Sequence, residues 1–164
     1  MSSATNFIRN LHQMKAQAPA GFALAYQIRM TTPTYLFQSY TKEWNSYYSK
    51  NGLLMNDPTV LWGFENDGTI KWSDLKALDV KNVLEAASGF GMNFGITWAS
   101  AAPGEYRSIG SFARSDREFT NDEVEELVTL AQDLHEATIG LTPLKEEDVD
   151  VLRSDGYVVS QTIN

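Results

Sequence analysis

Tyr40, Trp44 and Tyr48 recur every four residues, and a lone carboxylate, Asp57, follows them against Pro58. On a helix that spacing lines up one face. An aromatic stripe is usually core, and Asp before Pro is usually a helix N-cap. Yet each of these aromatics also carries a hydrogen-bond donor, and the carboxylate is an acceptor. Such a set suits a small ligand with a polar head, held in a cavity that is otherwise apolar. A carboxylate can cap its helix and hold a ligand with different lone pairs.

Catalytic chemistry is not legible. The two histidines, His12 and His135, lie far apart on expected helices, each read as a surface residue, and no cysteine is present. No His-x-x-x-His or His-x-His spacing suggests a metal site. There is no Gly-x-Ser-x-Gly elbow and no P-loop. The glycines of GFGMNFG feed a strand, which suits a turn needing backbone room. The pairs Glu125-Glu126 and Glu146-Glu147 read as solvated charge. The chain is therefore read as a non-enzyme with no cofactor.

The elements that must position the aromatics and Asp57 follow from periodicity. Phe7, Ile8, Leu11 and Met14 predict a helix over residues 4–17, ended by Pro19 and Gly21. FALAYQIRM and TYLFQSY read as two strands joined at Thr31-Thr32-Pro33. Thr41 caps the helix TKEWNSYYSKN, closed by Gly52, and Asp57-Pro58 opens another. TIKW is a short strand, and Val80, Val83 and Leu84 mark a helix ended by Gly89. MNFGITWAS and YRSIGSFAR form a hairpin about AAPGE. Thr120 and Glu123 make a capping box before a long helix. Strands in the middle with helices around them predict an α+β fold, a central antiparallel sheet sandwiched by helices. The one boundary falls at Gly140–Pro143, giving a domain over 1–140 and a tail over 141–164.

Composition limits the partners. The 164 residues suffice for one domain, and 43% hydrophobic with 21% charged residues is ordinary for a globular protein. A net charge of −8 and a pI near 4.7 oppose unaided binding to nucleic acid or an anionic membrane. The N-terminus lacks a signal-like apolar core, and no segment nears the ~20 apolar residues that span a bilayer. A soluble, cytoplasmic protein is expected.

With Tyr40-x-x-x-Trp44-x-x-x-Tyr48, Asp57-Pro58-x-Val60 and Trp72-Ser73-Asp74 in register, the chain resembles the autoinducer-binding domain of LuxR-type quorum-sensing transcription factors. GFGMNFGITWASAAPGEYRSIGSFAR resembles the same family's Gly-rich lead into a hairpin that closes the ligand cavity. Thr41 and Ala99 stand where the family commonly has proline. The resemblance implies an N-acyl-homoserine lactone bound between the sheet and one helical layer. It implies that Trp44 donates to the lactone carbonyl, Tyr40 to the acyl carbonyl, and Asp57 accepts from the amide N–H. Tyr48 and Trp72 would wall the headgroup and chain, and Thr59 would add a polar contact. Ser111 is a further candidate, a one-residue shift putting Gly110 there. The ligand's one N–H and two carbonyls match that inventory, and each polar group buried without a partner costs roughly 1–3 kcal/mol.

The tail LTPLKEEDVDVLRSDGYVVSQTIN resembles the opening of the family's helix-turn-helix domain through Leu141, Thr142, Glu146, Val151, Leu152 and Gly156. No recognition helix follows within these residues, so DNA is expected as a partner only through a domain missing or incomplete here. The expected role is the ligand-binding sensor of a quorum-sensing regulator, working as a homodimer. The alternatives are a shortened family member that dimerises with and inhibits a full-length regulator, and an unrelated PAS- or GAF-like sensor.

Overall fold

The computed structural model describes residues 3–163. Strands β1 (Gly21–Arg29), β2 (Thr32–Gln38), β3 (Gly68–Lys71), β4 (Phe94–Ser100), β5 (Arg107–Arg114) and β6 (Val158–Gln161) form one sheet. Its order is β3-β4-β5-β1-β2-β6, and every pairing is antiparallel. The two faces of this sheet differ in kind. Alternation along β1, β4 and β5 sends Phe22, Leu24, Tyr26, Ile96, Trp98 and Phe112 to one face. Tyr35 and Phe37 of β2 join them. To the other face go Gly21, Ala23, Ala25, Gly95, Thr97, Ala99, Ile109, Ser111 and Ala113, mostly small residues.

The large-residue face carries the main core. Helices α1 (Ser3–Gln17) and α5 (Asn121–Ala137) cover it with Phe7, Leu11, Met14, Leu127, Leu130, Ala131 and Leu134. Each fully buried large side chain here contributes on the order of 1.5–3 kcal/mol. The α5 start is the expected capping box: Thr120 Oγ1 accepts from the Glu123 amide and Glu123 Oε1 from the Thr120 amide. The small-residue face is covered by α2 (Lys42–Lys50), α3 (Pro58–Glu65), α4 (Val83–Ser88) and short 3₁₀ turns at Leu53–Asn56, Trp72–Asp74 and Lys76–Leu78. The result is the α/β/α sandwich expected from the order of elements.

The described part of residues 141–164 adds to this body. Helix α6 (Glu146–Ser154) packs on α1, and β6 pairs with the edge of β2 from Gln38↔Val158 to Tyr35↔Gln161. Val149, Leu152, Tyr157 and Val159 lie in the main core. His12 Nδ1 meets the Tyr157 hydroxyl at 2.8 Å, tying α1 to this segment.

Several local expectations are corrected. The β1–β2 turn sits at Met30–Thr31, with Met30 at φ 59°, so Thr32 and Pro33 already belong to β2. Val80 is exposed and precedes its helix, which begins at Val83 because the Asp79 carboxylate accepts from the Val83 and Leu84 amides at 2.8 and 2.9 Å. His135 is not a surface residue but fully buried. A bulge in β1 explains it. The register jumps between Ala25 and Ile28, so Tyr26 and Gln27 both turn toward α5, with Gln27 at φ 53°. Gln27 Nε2 donates to the His135 carbonyl at 2.8 Å and to Thr138 Oγ1 at 3.1 Å. His135 Nδ1 meets Ser108 Oγ at 2.7 Å, and Nε2 meets Glu105 Oε1 at 3.2 Å. The network bolts the end of α5 to the bulge and the β4–β5 hairpin.

Candidate ligand-binding site

Of the aromatic stripe, Trp44 and Tyr48 are helical and Tyr40 is not. Thr41 caps α2, its Oγ1 accepting from the Trp44 amide at 3.2 Å, which leaves Tyr40 on the connection from β2. Tyr40 instead rests on the sheet. A Cβ at Gly21 would lie 2.5 Å from the Tyr40 ring, and Gly21 has φ +117°, so only glycine fits under it. Trp72 lies against Gly95 in the same way, where a Cβ would come within 2.2 Å of the indole. These rings, with Trp44, Tyr48, Trp62 and Phe90, pack above the small-residue face. Trp44 meets Phe90 at 5.3 Å between centroids and Tyr48 at 5.6 Å.

Asp57 is buried at the start of α3 and does act as its N-cap. Oδ1 accepts from the Thr59 amide at 2.9 Å and the Thr59 hydroxyl at 2.7 Å, while Oδ2 accepts from the Tyr48 hydroxyl at 2.7 Å. A carboxylate offers about four lone-pair sites, so acceptor capacity remains. Burial pushes its pKa above the ordinary carboxylate range, and the Thr59 and Tyr48 hydrogen bonds pull part of the way back. Burial, reinforced by the Asp57 charge, pushes both the Tyr40 and Tyr48 phenols far up. Both therefore remain protonated donors.

The donors are not equally engaged. The Tyr48 hydroxyl serves Asp57, and the Trp72 indole N–H donates to Thr97 Oγ1 at 3.2 Å. Thr97 Oγ1 in turn lies 2.7 Å from Ser111 Oγ across the β4–β5 pair. Among the described residues, no acceptor meets the Trp44 indole N–H or the Tyr40 hydroxyl. One layer thus holds two uncommitted donors, a buried carboxylate with a lone pair to spare, and a floor of small residues. That is equipment for gripping the polar head of a largely apolar molecule.

All seven sequence candidates, Tyr40, Trp44, Tyr48, Asp57, Thr59, Trp72 and Ser111, fall in this layer. Ser111 and not Gly110 faces it, since Gly110 lies under Leu24 on the opposite face. Thr97 and Phe90 were not singled out from sequence. The alternation of small and large residues in GFALAY, FGITWA and SIGSFA carried the signal for the floor. Two depressions, of about 470 Å³ along Ile8, His12 and Ala16 and about 160 Å³ beside Tyr35, Thr142 and Leu144, lie outside this layer. Among the described residues, no group of three or more His, Asp or Glu side chains is arranged to hold a metal ion.

The profile of the autoinducer binding domain matches residues 21–138, which span β1 through α5 and every candidate residue. The chain belongs to this family. It is the sensor domain of the LuxR-type quorum-sensing transcription regulators, a family of signal receptors and not of enzymes. Solved structures agree in fold. SdiA in complex with octanoyl-rac-glycerol is 22% identical with a TM-score of 0.61, covering 94% of this chain and 70% of that one. CepR2 of Burkholderia cenocepacia, an N-acylhomoserine-lactone-dependent LuxR-family factor, is 15% identical with a TM-score of 0.53, covering 84% and 94%. The ligand-binding domain of VqsR from Pseudomonas aeruginosa is 12% identical with a TM-score of 0.52, covering 81% and 83%. No protein of curated function matches the sequence. Among the described residues, no helix of this autoinducer-binding domain is long and apolar enough to cross a membrane.

Proposed function

We propose that this domain buries an N-acyl-homoserine lactone between the small-residue face of the sheet and the layer formed by α2, α3 and α4. The observation that carries the reading is the match of hydrogen-bonding inventories. Tyr40 and Trp44 hold two uncommitted donors for two carbonyls, and Asp57 keeps acceptor capacity for one amide N–H. Tyr48 and Thr59 fix the carboxylate, and Trp72 and Phe90 flank the chain. Since the aromatic walls touch one another, the ligand enters by displacing contacts such as Trp44–Phe90 and takes their place in the core. Binding then stabilises the fold by mass action, about 2.7 kcal/mol at a ligand concentration a hundredfold above Kd. In a cytoplasmic homodimer, residues 141–164 would relay that change toward a helix-turn-helix domain in a longer chain.

Thermal unfolding with a panel of N-acyl-homoserine lactones tests the proposal. A saturating lactone should raise Tm by roughly 5–10 °C for a domain of this size. Octanoyl-rac-glycerol, the molecule bound to SdiA, belongs in the same panel, because it shares an acyl carbonyl but lacks the amide. No shift with any lactone would remove the sensor reading and leave the alternative, a domain that acts by dimerising with a full-length regulator.

A further inference from the structure

The described residues after α5 hold together as a piece of their own. The Tyr157 amide donates to the Leu152 carbonyl at 3.0 Å, the Arg153 guanidinium to the Val159 carbonyl at 2.9 Å, and the Leu144 amide to Gln161 Oε1 at 2.8 Å. These bonds close α6 onto β6. The piece then seats on the body. β6 adds to the β2 edge, the Thr162 amide donates to the Thr34 carbonyl at 2.8 Å, and Val149, Leu152, Tyr157 and Val159 share the main core with Phe22 and Phe37. Tyr157 carries much of this seat. Its ring centre lies 5.9 Å from that of Phe22, its hydroxyl 2.8 Å from His12 Nδ1, and Lys15 Nζ 5.1 Å above it.

The connection between piece and body is of another kind. Ile139, Gly140, Thr142, Pro143 and Lys145 are exposed. Leu141 is held at φ 55° in a turn where its amide donates to the Thr138 carbonyl at 3.1 Å. In that left-handed region a leucine Cβ crowds its own backbone, a strain glycine would not feel. A strained, exposed hinge joining two well-formed pieces is the arrangement that lets copies exchange the terminal one. Exchange keeps every docking contact, since the same residues meet across two chains. Only the hinge differs: it opens, and Leu141 is released to extended backbone. Fully extended, residues 139–145 reach about 23–25 Å, enough to cross from one body to another packed beside it.

We propose that the β2 edge and the flank of α1 beside it form an interaction surface for residues 144–163 of a second copy of this chain. The product is a dimer whose subunits exchange α6 and β6, so that His12 of each copy meets Tyr157 of the other. The proposal is independent of the lactone reading, and its test uses no ligand.

The chain contains no cysteine, so a cross-link can be placed without background. Gln38 stands opposite Val158 in the β2–β6 register, and both side chains lie outside the core. Chains carrying Gln38→Cys and chains carrying Val158→Cys are unfolded, mixed, refolded together at high concentration and oxidised. A disulfide-linked mixed dimer should form, while each variant refolded alone should give none. A mixture no more linked than the separate variants overturns the proposal. Sedimentation of cysteine-free chains reads the hinge independently. Leu141→Gly relieves the closed hinge of both subunits and should raise the dimer dissociation constant about tenfold or more. Leu141→Ile, whose branched side chain tolerates the left-handed region worst, should lower it. A dimer that lacks the 38–158 cross-link uses another surface and refutes exchange, as does a Leu141→Ile chain that stays monomeric.

Discussion

Replacing Asp57 with asparagine separates the cap that this side chain forms from the ligand contact proposed for it. In the cap, Oδ1 takes both hydrogen bonds from Thr59, and an asparagine oxygen accepts the same pair. At the other position an amide nitrogen replaces Oδ2, so the Tyr48 hydroxyl turns from donor to acceptor. Losing the charge on that bond costs stability, but removing a buried charge from an apolar layer returns some. Unliganded stability should therefore stay within about 1 kcal/mol of wild type. Ligand binding has no such compensation. A charge-assisted bond to the lactone amide is worth ~1.5–3 kcal/mol, so affinity should fall about tenfold to 150-fold. The pH dependence adds an independent check. The folded-state pKa of Asp57 lies above its unfolded value, so the folded protein binds this proton more tightly. As pH falls from above the folded pKa to below the unfolded one, the Asp57 contribution to unliganded stability rises while lactone affinity falls. Both trends should be missing from the Asp57→Asn variant, and their persistence there would assign them to other groups. Chemical denaturation and isothermal titration across acidic pH measure them on one preparation. Unchanged lactone affinity in Asp57→Asn would leave Asp57 as a cap and refute the anchor.

Trp44→Phe should keep the fold and cost about 1–2 kcal/mol of lactone binding, because the ring stays and the N–H goes; a collapse of Tm with normal binding by the residual folded protein would make Trp44 simple core. Gly95→Ala should destabilise by about 1–3 kcal/mol, since its methyl would occupy the position of the Trp72 indole, and urea unfolding followed by tryptophan fluorescence measures this. Glu123, held down to about 2 by Arg117 and the Thr120 amide, supplies stability present above its unfolded pKa and lost as pH falls toward about 2. Glu123→Gln should remove that acid limb while costing only about 1 kcal/mol at neutral pH, because the pair is largely solvent-screened and the amide can still close the capping box.

The layer order and the caps of α2, α3 and α5 were legible because local rules govern them: helical spacing, Asp-Pro at a helix start, Thr and Glu three apart; the seven candidate residues came from the family resemblance, and their roles toward a ligand stay proposals. What was not legible depended on distant partners. The surface reading of His135 fails because a bulge 108 residues earlier turns Gln27 toward it, which nothing in α5 itself announces. Tyr40 fits the four-residue spacing of Trp44 and Tyr48, but Thr41 starts the helix one residue too late to include it. Thr97 drew no attention because a threonine in a strand is ordinary, and its partners arrive from 25 residues before and 14 after.

The contrast between the two faces of the sheet has a consequence for how such a receptor can change. Along β1, β4 and β5 up to the bulge, odd-numbered positions pave the floor of the candidate site and even-numbered positions build the main core. Neighbouring residues in the chain are thus exposed to different selective demands. Enlarging Ala23, Ala25 or Ala113 alters the room above the floor and leaves Phe22, Leu24, Trp98 and Phe112 packed as before. Change at one parity can proceed while the other conserves the fold, except at Gly21 and Gly95, where an aromatic ring already lies against the backbone. A library confined to the odd positions would sample that route directly.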